Sequence, residues 1–402
     1  MSRIYKKRPY YIDKIAPFIG TNLIKVLVGQ RRSGKSYILL HLMDIVRERD
    51  KTANIIYINK EDNAHESIAG YRDLIKYAED RIVVKVNNYL FIDEIQDIEH
   101  FEKALRHFSA KGIFDLYCTG SNARLLSSEI ATGLSGRYIE IPIHPLSYKE
   151  FLVFHKLEQG EVSLLQYIRY GGLPFIVNLK LTDEVVYGYL QSIYNTIVLK
   201  DVVARFNVRN INFLNRLLEY LADIVGSLVS ANRISEFLKS QRIKATPNMV
   251  LDYLSHLTSG FIIREVNRAD IRGKKIFEIN EKYYWEDLGL RNSVVGYKAT
   301  EIGQMLENLV FLHLLRLGFS VYVGQLGDKE IDFVAEKEGG RVYVQVAYLV
   351  TDASTREREF GNLLAIPDNY RKIVVSMDKL SGEGYQGIEH FHIIDFLLDE
   401  EL

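Results

Sequence analysis

The segment Gly29-Gln30-Arg31-Arg32-Ser33-Gly34-Lys35-Ser36 constrains this chain more than any other. It satisfies G-x-x-x-x-G-K-[S/T] in full, follows the apolar run Leu23–Val28, and opens into SYILLHLMDIVRER, a helical pattern. A glycine-rich turn between a buried strand and a helix points its backbone N–H groups at phosphate oxygens, and the helix start adds a positive partial charge. Gly29 and Gly34 let the backbone curl, Lys35 offers a point charge to β- and γ-phosphates, and Ser36 offers a hydroxyl to Mg²⁺. Gln30 and Ser33 complete the loop, and Arg31 and Arg32 are either further phosphate contacts or solvent-facing. The ligands expected from this pattern are ATP and Mg²⁺.

Such a loop belongs on a parallel sheet covered by helices on both faces. Strand-like runs rich in β-branched and aromatic residues recur at Leu23–Val28, Asn54–Ile58, Tyr89–Ile92, Phe114–Cys118 and Tyr138–Ile143, with helical patterns between them. All seven prolines lie outside residues 18–141, so this stretch can be regular structure with little interruption. The expected fold class is α/β, with this sheet as the first domain, residues 1–146.

The run Tyr89-Leu90-Phe91-Ile92-Asp93-Glu94 is an apolar strand ending in two carboxylates. Beside the phosphate loop, Asp93 is placed to hold the Mg²⁺ shell with Ser36. Glu94 is placed to orient or deprotonate the attacking water. The next strand ends in Thr119-Gly120-Ser121-Asn122, where Thr119, Ser121 and Asn122 are candidates to touch the γ-phosphate or the water. Sequence does not choose among them. Arg137, just before the fifth strand, is either a catalytic arginine finger or an exposed ion-pair partner.

After Pro142 and Pro145 the pattern changes. Residues 147–228 read as helices punctuated by Tyr170-Gly171-Gly172-Leu173-Pro174. Residues 229–298 read as two short helices followed by a hairpin around Arg272-Gly273-Lys274, the order of a winged helix-turn-helix. Residues 299–402 read as helix, three strands, helix, strand. The formal net charge is -1, so any nucleic-acid contact has to come from a local basic site. Cys118 is the single cysteine, which excludes an intrachain disulfide and points to a reducing, cytoplasmic setting. No apolar run reaches the length of a membrane span. The histidines do not fall at metal-ligand spacing.

The segments GQRRSGKS, LFIDEIQ and CTGSNARLLSSEIATGLSGRYIEIPIHPLSYKEF resemble the prokaryotic AAA-like ATPases of the additional-strand, catalytic-glutamate division. YGGLP, IVLKDVVARF and EIDFVAEKEGGRVYVQVAYLV extend that resemblance over most of the chain. It implies ATP with Mg²⁺, a winged-helix-like segment, and a C-terminal module related to the PD-(D/E)xK nuclease fold. Carried over by position, Lys35 and Ser36 match the Walker A residues, and Asp93 and Glu94 match Walker B.

The nuclease fold needs a metal-holding Asp and a Glu-x-Lys on the next strand. Here Asp332 holds the first position, but the next strand reads Gln345-Val346-Ala347, and Ala347 cannot replace the lysine. Glu307, on the preceding helix, would add a carboxylate, and Lys329 is a candidate for a migrated lysine. The expected module is therefore an inactive relative. In the helix-turn-helix, the second helix, Pro247–Leu257, has no Arg or Lys and carries Asp252. Its basic neighbours are Arg233, Lys239, Arg242, Lys244, Arg272, Lys274 and Lys275, which suit non-specific phosphate contact or a solvated face. The first functional expectation is an ATPase whose cycle moves C-terminal binding domains, acting on DNA or on a protein partner, alone or as a homo-oligomer. The second is a nucleotide-gated DNA- or protein-binding switch with little turnover. The third, an ATP-controlled nuclease, is opposed by Ala347.

Overall fold

The computed structural model describes residues 5–123, 134, 136–208, 210–273, 276–350, 353–378 and 384–402. The chain forms two compact units. The first holds residues up to Pro145 together with Ser259–Phe261, and the second holds Leu146–Thr258 and Ile262–Leu402.

In the first unit, five strands form an all-parallel sheet: β1 (Ile24–Val28), β2 (Asn54–Asn59), β3 (Asn88–Asp93), β4 (Asp115–Gly120) and β5 (Tyr138–Pro142). Their spatial order is β2-β3-β4-β1-β5, so β4 stands between the strand that feeds the phosphate loop and the strand that ends in Asp93. Both β1 and β3 are buried along their whole length, as their unbroken apolar runs require. Helices α1 (Pro9–Ile15), α2 (Lys35–Arg49), α3 (Tyr71–Glu79) and α4 (Phe101–Lys111) accompany the sheet. Two apolar clusters form its core, one around Ile24, Val26, Leu90 and Phe108, the other around Leu27, Leu39, Phe91 and Tyr117. Lys25 would be costly inside β1, but it pairs with Asp115 and donates to the Thr21 carbonyl at 3.0 Å.

The second unit begins with helices α5 (Tyr148–His155), α6 (Glu161–Tyr170) and α7 (Asp183–Thr196). Helix α7 continues through a π-helical stretch, Ile197–Ala204, before α8 (Ile211–Asp223). Helices α9 (Ala231–Ser240) and α10 (Pro247–Ser259) follow, then strands β6 (Ile263–Asp270) and β7 (Ile276–Trp285) and helix α11 (Leu288–Val295). Gly171 shows why a side chain is excluded from the turn after α6. It sits at φ +75°, and a Cβ there would lie 2.2 Å from the Asp287 carboxylate. Buried Asp287 accepts the N–H groups of Gly172 and Leu290 at 2.7 and 2.9 Å, fixing that turn to the start of α11. Burial raises its pKa to about 6 against these N–H groups.

The chain then adds α12 (Ile302–Arg316), β8 (Ser320–Leu326), β9 (Lys329–Lys337), β10 (Gly340–Val346), α13 (Ala353–Leu364), β11 (Arg371–Ser376), β12 (Glu389–His392) and α14 (Ile393–Leu398). One seven-stranded mixed sheet runs β12-β11-β10-β9-β8-β6-β7. The hairpin β6–β7 is thus the edge of the same sheet that carries Asp332 on β9, joined through parallel pairing of β6 with β8. A continuous apolar core extends from Tyr148 to Leu397. Strand β7 is longer than its polar run Asn280-Glu281-Lys282 suggests. A register shift between Val266 and Arg268, with Asn280 at φ +64°, lets the strand resume beyond a bulge and carry on to Trp285.

Candidate functional site

The loop after β1 is held from several sides. A Cβ at Gly29 would meet the Ile143 carbonyl oxygen at 2.1 Å, so only glycine lets β1 and the exit of β5 approach this closely. Gly34, at φ +100°, makes the turn into α2. Arg8 reaches in from the N-terminal segment. Its guanidinium donates to the Ser33 carbonyl at 2.9 Å, to the His144 carbonyl at 2.9 Å and to the Pro145 carbonyl at 3.2 Å, and it lies over the Tyr11 ring. Sequence reasoning passed over Arg8. An arginine among the other basic residues of the N-terminal segment carries no local sign that it is buried.

Lys35 is buried and turns back on its own loop, donating to the carbonyls of Gly29 and Gln30 at 2.9 and 3.0 Å. Its Nζ lies 3.7 Å from Glu94 Oε1. Arg31 is also buried and pairs with Glu61 at 2.7 Å, whereas Arg32 is exposed with φ +69°. The two arginines left open by the sequence therefore separate, one tucked beside the loop and one in solvent. Gln30 and Ser33 are fully buried, and neither the Gln30 amide nor the Ser33 hydroxyl has a hydrogen-bond partner among the described residues. Buried polar atoms of this kind fit a loop built to receive phosphate oxygens.

At the end of β3, Asp93 receives a hydrogen bond from Ser36, which sets the two oxygen ligands expected for Mg²⁺ side by side. Tyr57 donates to the same carboxylate at 3.4 Å. Burial pushes the Asp93 pKa up, against the hydrogen bonds from Thr119 and Ser36. Glu94 follows in a left-handed conformation, φ +55° and ψ 55°, at the turn into a short 3₁₀ segment. Burial alone would raise its pKa. Lys35, then Arg31, with hydrogen bonds from Gln96 and Ser121, outweigh that and hold it below its ordinary value. Glu94 is thus an ionised, buried carboxylate at neutral pH, able to accept a proton.

The residues at the tip of β4 take different places. The Thr119 hydroxyl donates to Asp93 Oδ1 and accepts the Glu94 N–H at 2.9 Å, so one side chain fixes both acidic residues. Ser121 donates to Glu94 Oε2 at 3.0 Å. Asn122 is half-buried. Gln96, which sequence reasoning did not single out although it follows in IDEIQ, donates to Glu94 as well. Replacing Thr119 by Val keeps the shape and removes the bridge. Turnover of ATP is expected to fall about 10- to 100-fold, the scale for groups that orient a reacting carboxylate, while Thr119→Ser retains most of it. Equal rates in both variants would mean that the bridge is only structural. Arg137 is exposed at the entry to β5, with its backbone paired to Ile24 and Leu134.

The C-terminal carboxylates also gather, around a lysine that sequence reasoning missed. Lys282, on β7 and 3% exposed, lies 2.8 Å from Glu307, 2.8 Å from Glu330 and 3.7 Å from Asp332. Tyr284 donates to Glu307 at 2.6 Å. Burial would lower the Lys282 pKa, but Glu307, Asp332 and Glu330 hold it well above its ordinary value. Burial and the neighbouring Glu307 push the Asp332 carboxyl up. Asp332 is tied to the next strand by the Val346 N–H at 2.8 Å, and Gln345 Oε1 accepts the Asp332 N–H at 3.3 Å. Lys329 donates to the Gly361 carbonyl at 3.3 Å, and Ala347 is buried. No group of three His, Cys, Asp or Glu among the described residues is arranged to hold a metal. Lys282 sits 25 residues before Glu307, too far in sequence for any motif spacing to join them. Removing its charge with Lys282→Met leaves buried carboxylates unpaired and is expected to destabilise this unit by about 3–5 kcal/mol. Urea unfolding followed by the fluorescence of Trp285, the single tryptophan, measures this, and a loss under about 1 kcal/mol would contradict it.

Of the basic residues proposed for nucleic acid, Arg233, Lys239, Arg242, Lys244 and Arg272 are exposed. Lys274 and Lys275 lie outside the described residues. No helix among the described residues is long and apolar enough to cross a membrane.

The parallel sheet and its glycine-rich loop have the form of a P-loop fold, and residues 21–152 match an AAA domain model. A domain of unknown function matches residues 161–301, which places it over the helices and hairpin before the C-terminal module. The chain is 37% identical over 407 residues to an uncharacterized protein of Haemophilus influenzae, covering 99% of this chain and 100% of the relative. It belongs to one family with that protein. A second relative, an uncharacterized protein of Methanocaldococcus jannaschii, is 32% identical over 358 residues, covering 84% of this chain and 77% of the relative. Among solved structures, the Walker-type ATPase of Pyrococcus abyssi superposes with a TM-score of 0.52 at 15% identity, over 73% of this chain and 96% of that one, a likeness of fold.

Proposed function

We propose that this protein binds Mg·ATP at the Gly29–Ser36 loop and hydrolyses it. The observation that carries this reading is the buried Glu94, held by Ser121 and Gln96 one residue beyond Asp93 and 3.7 Å from Lys35. A loop that only bound nucleotide would have no use for a second carboxylate kept charged at a desolvation cost.

The loop N–H groups and Lys35 bind and orient the phosphates. Ser36 and Asp93 would hold Mg²⁺, which supplies charge neutralisation between β- and γ-phosphates. Glu94 accepts the proton of the attacking water, with Thr119 fixing its backbone and Asp93 together. Arg31 adds positive charge beside the site, and exposed Arg137 would act as an arginine finger, in cis or across an interface. The nucleotide cycle shifts the second unit, whose helices α9 and α10 resemble a helix-turn-helix and whose C-terminal sheet, with the β6–β7 hairpin as its edge, resembles a nuclease fold turned to binding. Ala347 in the lysine position favours binding over cleavage there, while Lys282 supplies a lysine beside Glu307 and Asp332 from another strand. ATP as substrate and a single buried thiol suit a cytoplasmic protein.

Steady-state phosphate release from Mg·ATP, with and without nucleic acid, tests the reading. The second reading is a nucleotide-gated switch, favoured by the ion pair that engages Glu94 with Lys35. Tight ATP binding with no release under any condition would decide for it.

A further inference from the structure

The turn between α9 and α10 encloses an open cleft of about 390 Å³. Ile243, Ala245 and Met249 give it apolar lining, and Lys239, Arg242 and Lys244 stand around it, all three exposed. No ion pair or side-chain hydrogen bond among the described residues engages these three cations, although Glu236 and Asp252 lie on the same two helices. Arg242 holds the left-handed position after α9, φ +62°, where a glycine would be unstrained. Thr246 caps α10 by accepting the Met249 N–H at 3.3 Å, and both residues line the cleft, so the positive end of that helix opens on it. From Ala231 to Ser259 there are four Lys or Arg against two acids, in a chain whose net charge is -1.

We propose that this cleft is a nucleic-acid contact that takes consecutive backbone phosphates without reading bases. Three separate cations on an open rim suit a repeating anion. A single phosphate would call for convergent, buried donors, which the cleft does not have. The apolar lining suits sugar and base faces. Absence of Lys and Arg from α10, and exposed Asp252 upon it, leave Asn248 as its single residue of the Arg, Lys, Asn or Gln kind that reads base edges, too few to set a sequence. The proposal stands apart from ATP hydrolysis, since none of these residues belongs to the phosphate loop or its carboxylates.

The test is fluorescence anisotropy of the full-length protein with a labelled duplex and the matching single strand, between about 50 and 200 mM salt. The wild type is expected to bind, with affinity falling steeply as salt rises. The triple variant K239E/R242E/K244E is expected to bind about tenfold or more weakly at low salt, with a salt slope smaller by about three. Its basal phosphate release should stay at the wild-type level. Single Lys239→Gln and Lys244→Gln variants, which disturb the helices least, should each reduce the slope by about one. Reversal of Arg72 and Lys76 on α3 should change nothing. The proposal is overturned if the wild type binds neither nucleic acid, if the triple variant keeps wild-type affinity and slope, or if poly-glutamate competes as well as nucleic acid.

Discussion

Lys35→Ala is expected to lower ATP affinity at least about a hundredfold. That is the scale of losing two charge-assisted hydrogen bonds of about 1.5–3 kcal/mol each. The reason lies in where Lys35 stands. It is buried, and its ammonium is already held at the loop by the Gly29 and Gln30 carbonyls, so phosphate binding needs only a short redirection of its donors. Alanine removes the charge and also strips Glu94 of its chief counter-ion, so the Glu94 pKa should rise from its depressed value. Titration calorimetry with a non-hydrolysable ATP analogue measures the affinity, and circular dichroism confirms the fold. Affinity within threefold of the wild type would remove the loop from the phosphate site.

Glu94→Gln is expected to have the opposite signature. Turnover should drop by about 10²–10⁴, the contribution of a positioned general base. Affinity for ATP should rise several-fold, because Glu94 draws Lys35 away from the phosphates across 3.7 Å and the amide does not. A switch without hydrolysis would show the tightening with no turnover to lose. A variant that hydrolyses like the wild type would sink the assignment of Glu94. The pH dependence follows from the same pair. With its pKa held below the ordinary value, the wild-type base stays ionised near neutrality, and as pH falls the burial-raised Asp93 takes up a proton before Glu94 does, so turnover is lost through Asp93 first.

Much of the first unit was legible because its signals are local. Strand edges read from apolar runs fall within one or two residues of the observed ones, as at Asn54–Asn59 and Tyr138–Pro142. Lys35, Ser36, Asp93 and Glu94 were read from two short motifs, the first supported by its flanking strand and helix and the second by the presence of the first. Order in the sheet was not legible, because β4 slots between β1 and β3 through pairings that no local pattern records. The choice among Thr119, Ser121 and Asn122 depended on which hydroxyl faces Asp93, a matter of strand twist and not of composition. Lys282 was hidden for another reason. It stands in a polar run that resembles a strand end, and only the bulge in the hairpin carries it inward to carboxylates from α12 and β9. The hairpin itself looked like a separate wing, yet its pairing with β8 makes it the edge of the C-terminal sheet.

Arg8 bears on more than loop shape. One guanidinium grips the phosphate loop at Ser33 and, from the same Nη1 and from Nη2, the carbonyls of His144 and Pro145 just after β5. The glycine-rich loop and the exit of β5 are therefore bolted to a single rigid plane. A shift of the Ser33 carbonyl by a few tenths of an ångström has to be shared with the departing chain or break a bond. Shortening the protein by its first eight residues would remove this clamp and leave the Ser33 turn and the exit of β5 tied only through the β1–β5 pairing and the Gly29 approach to Ile143.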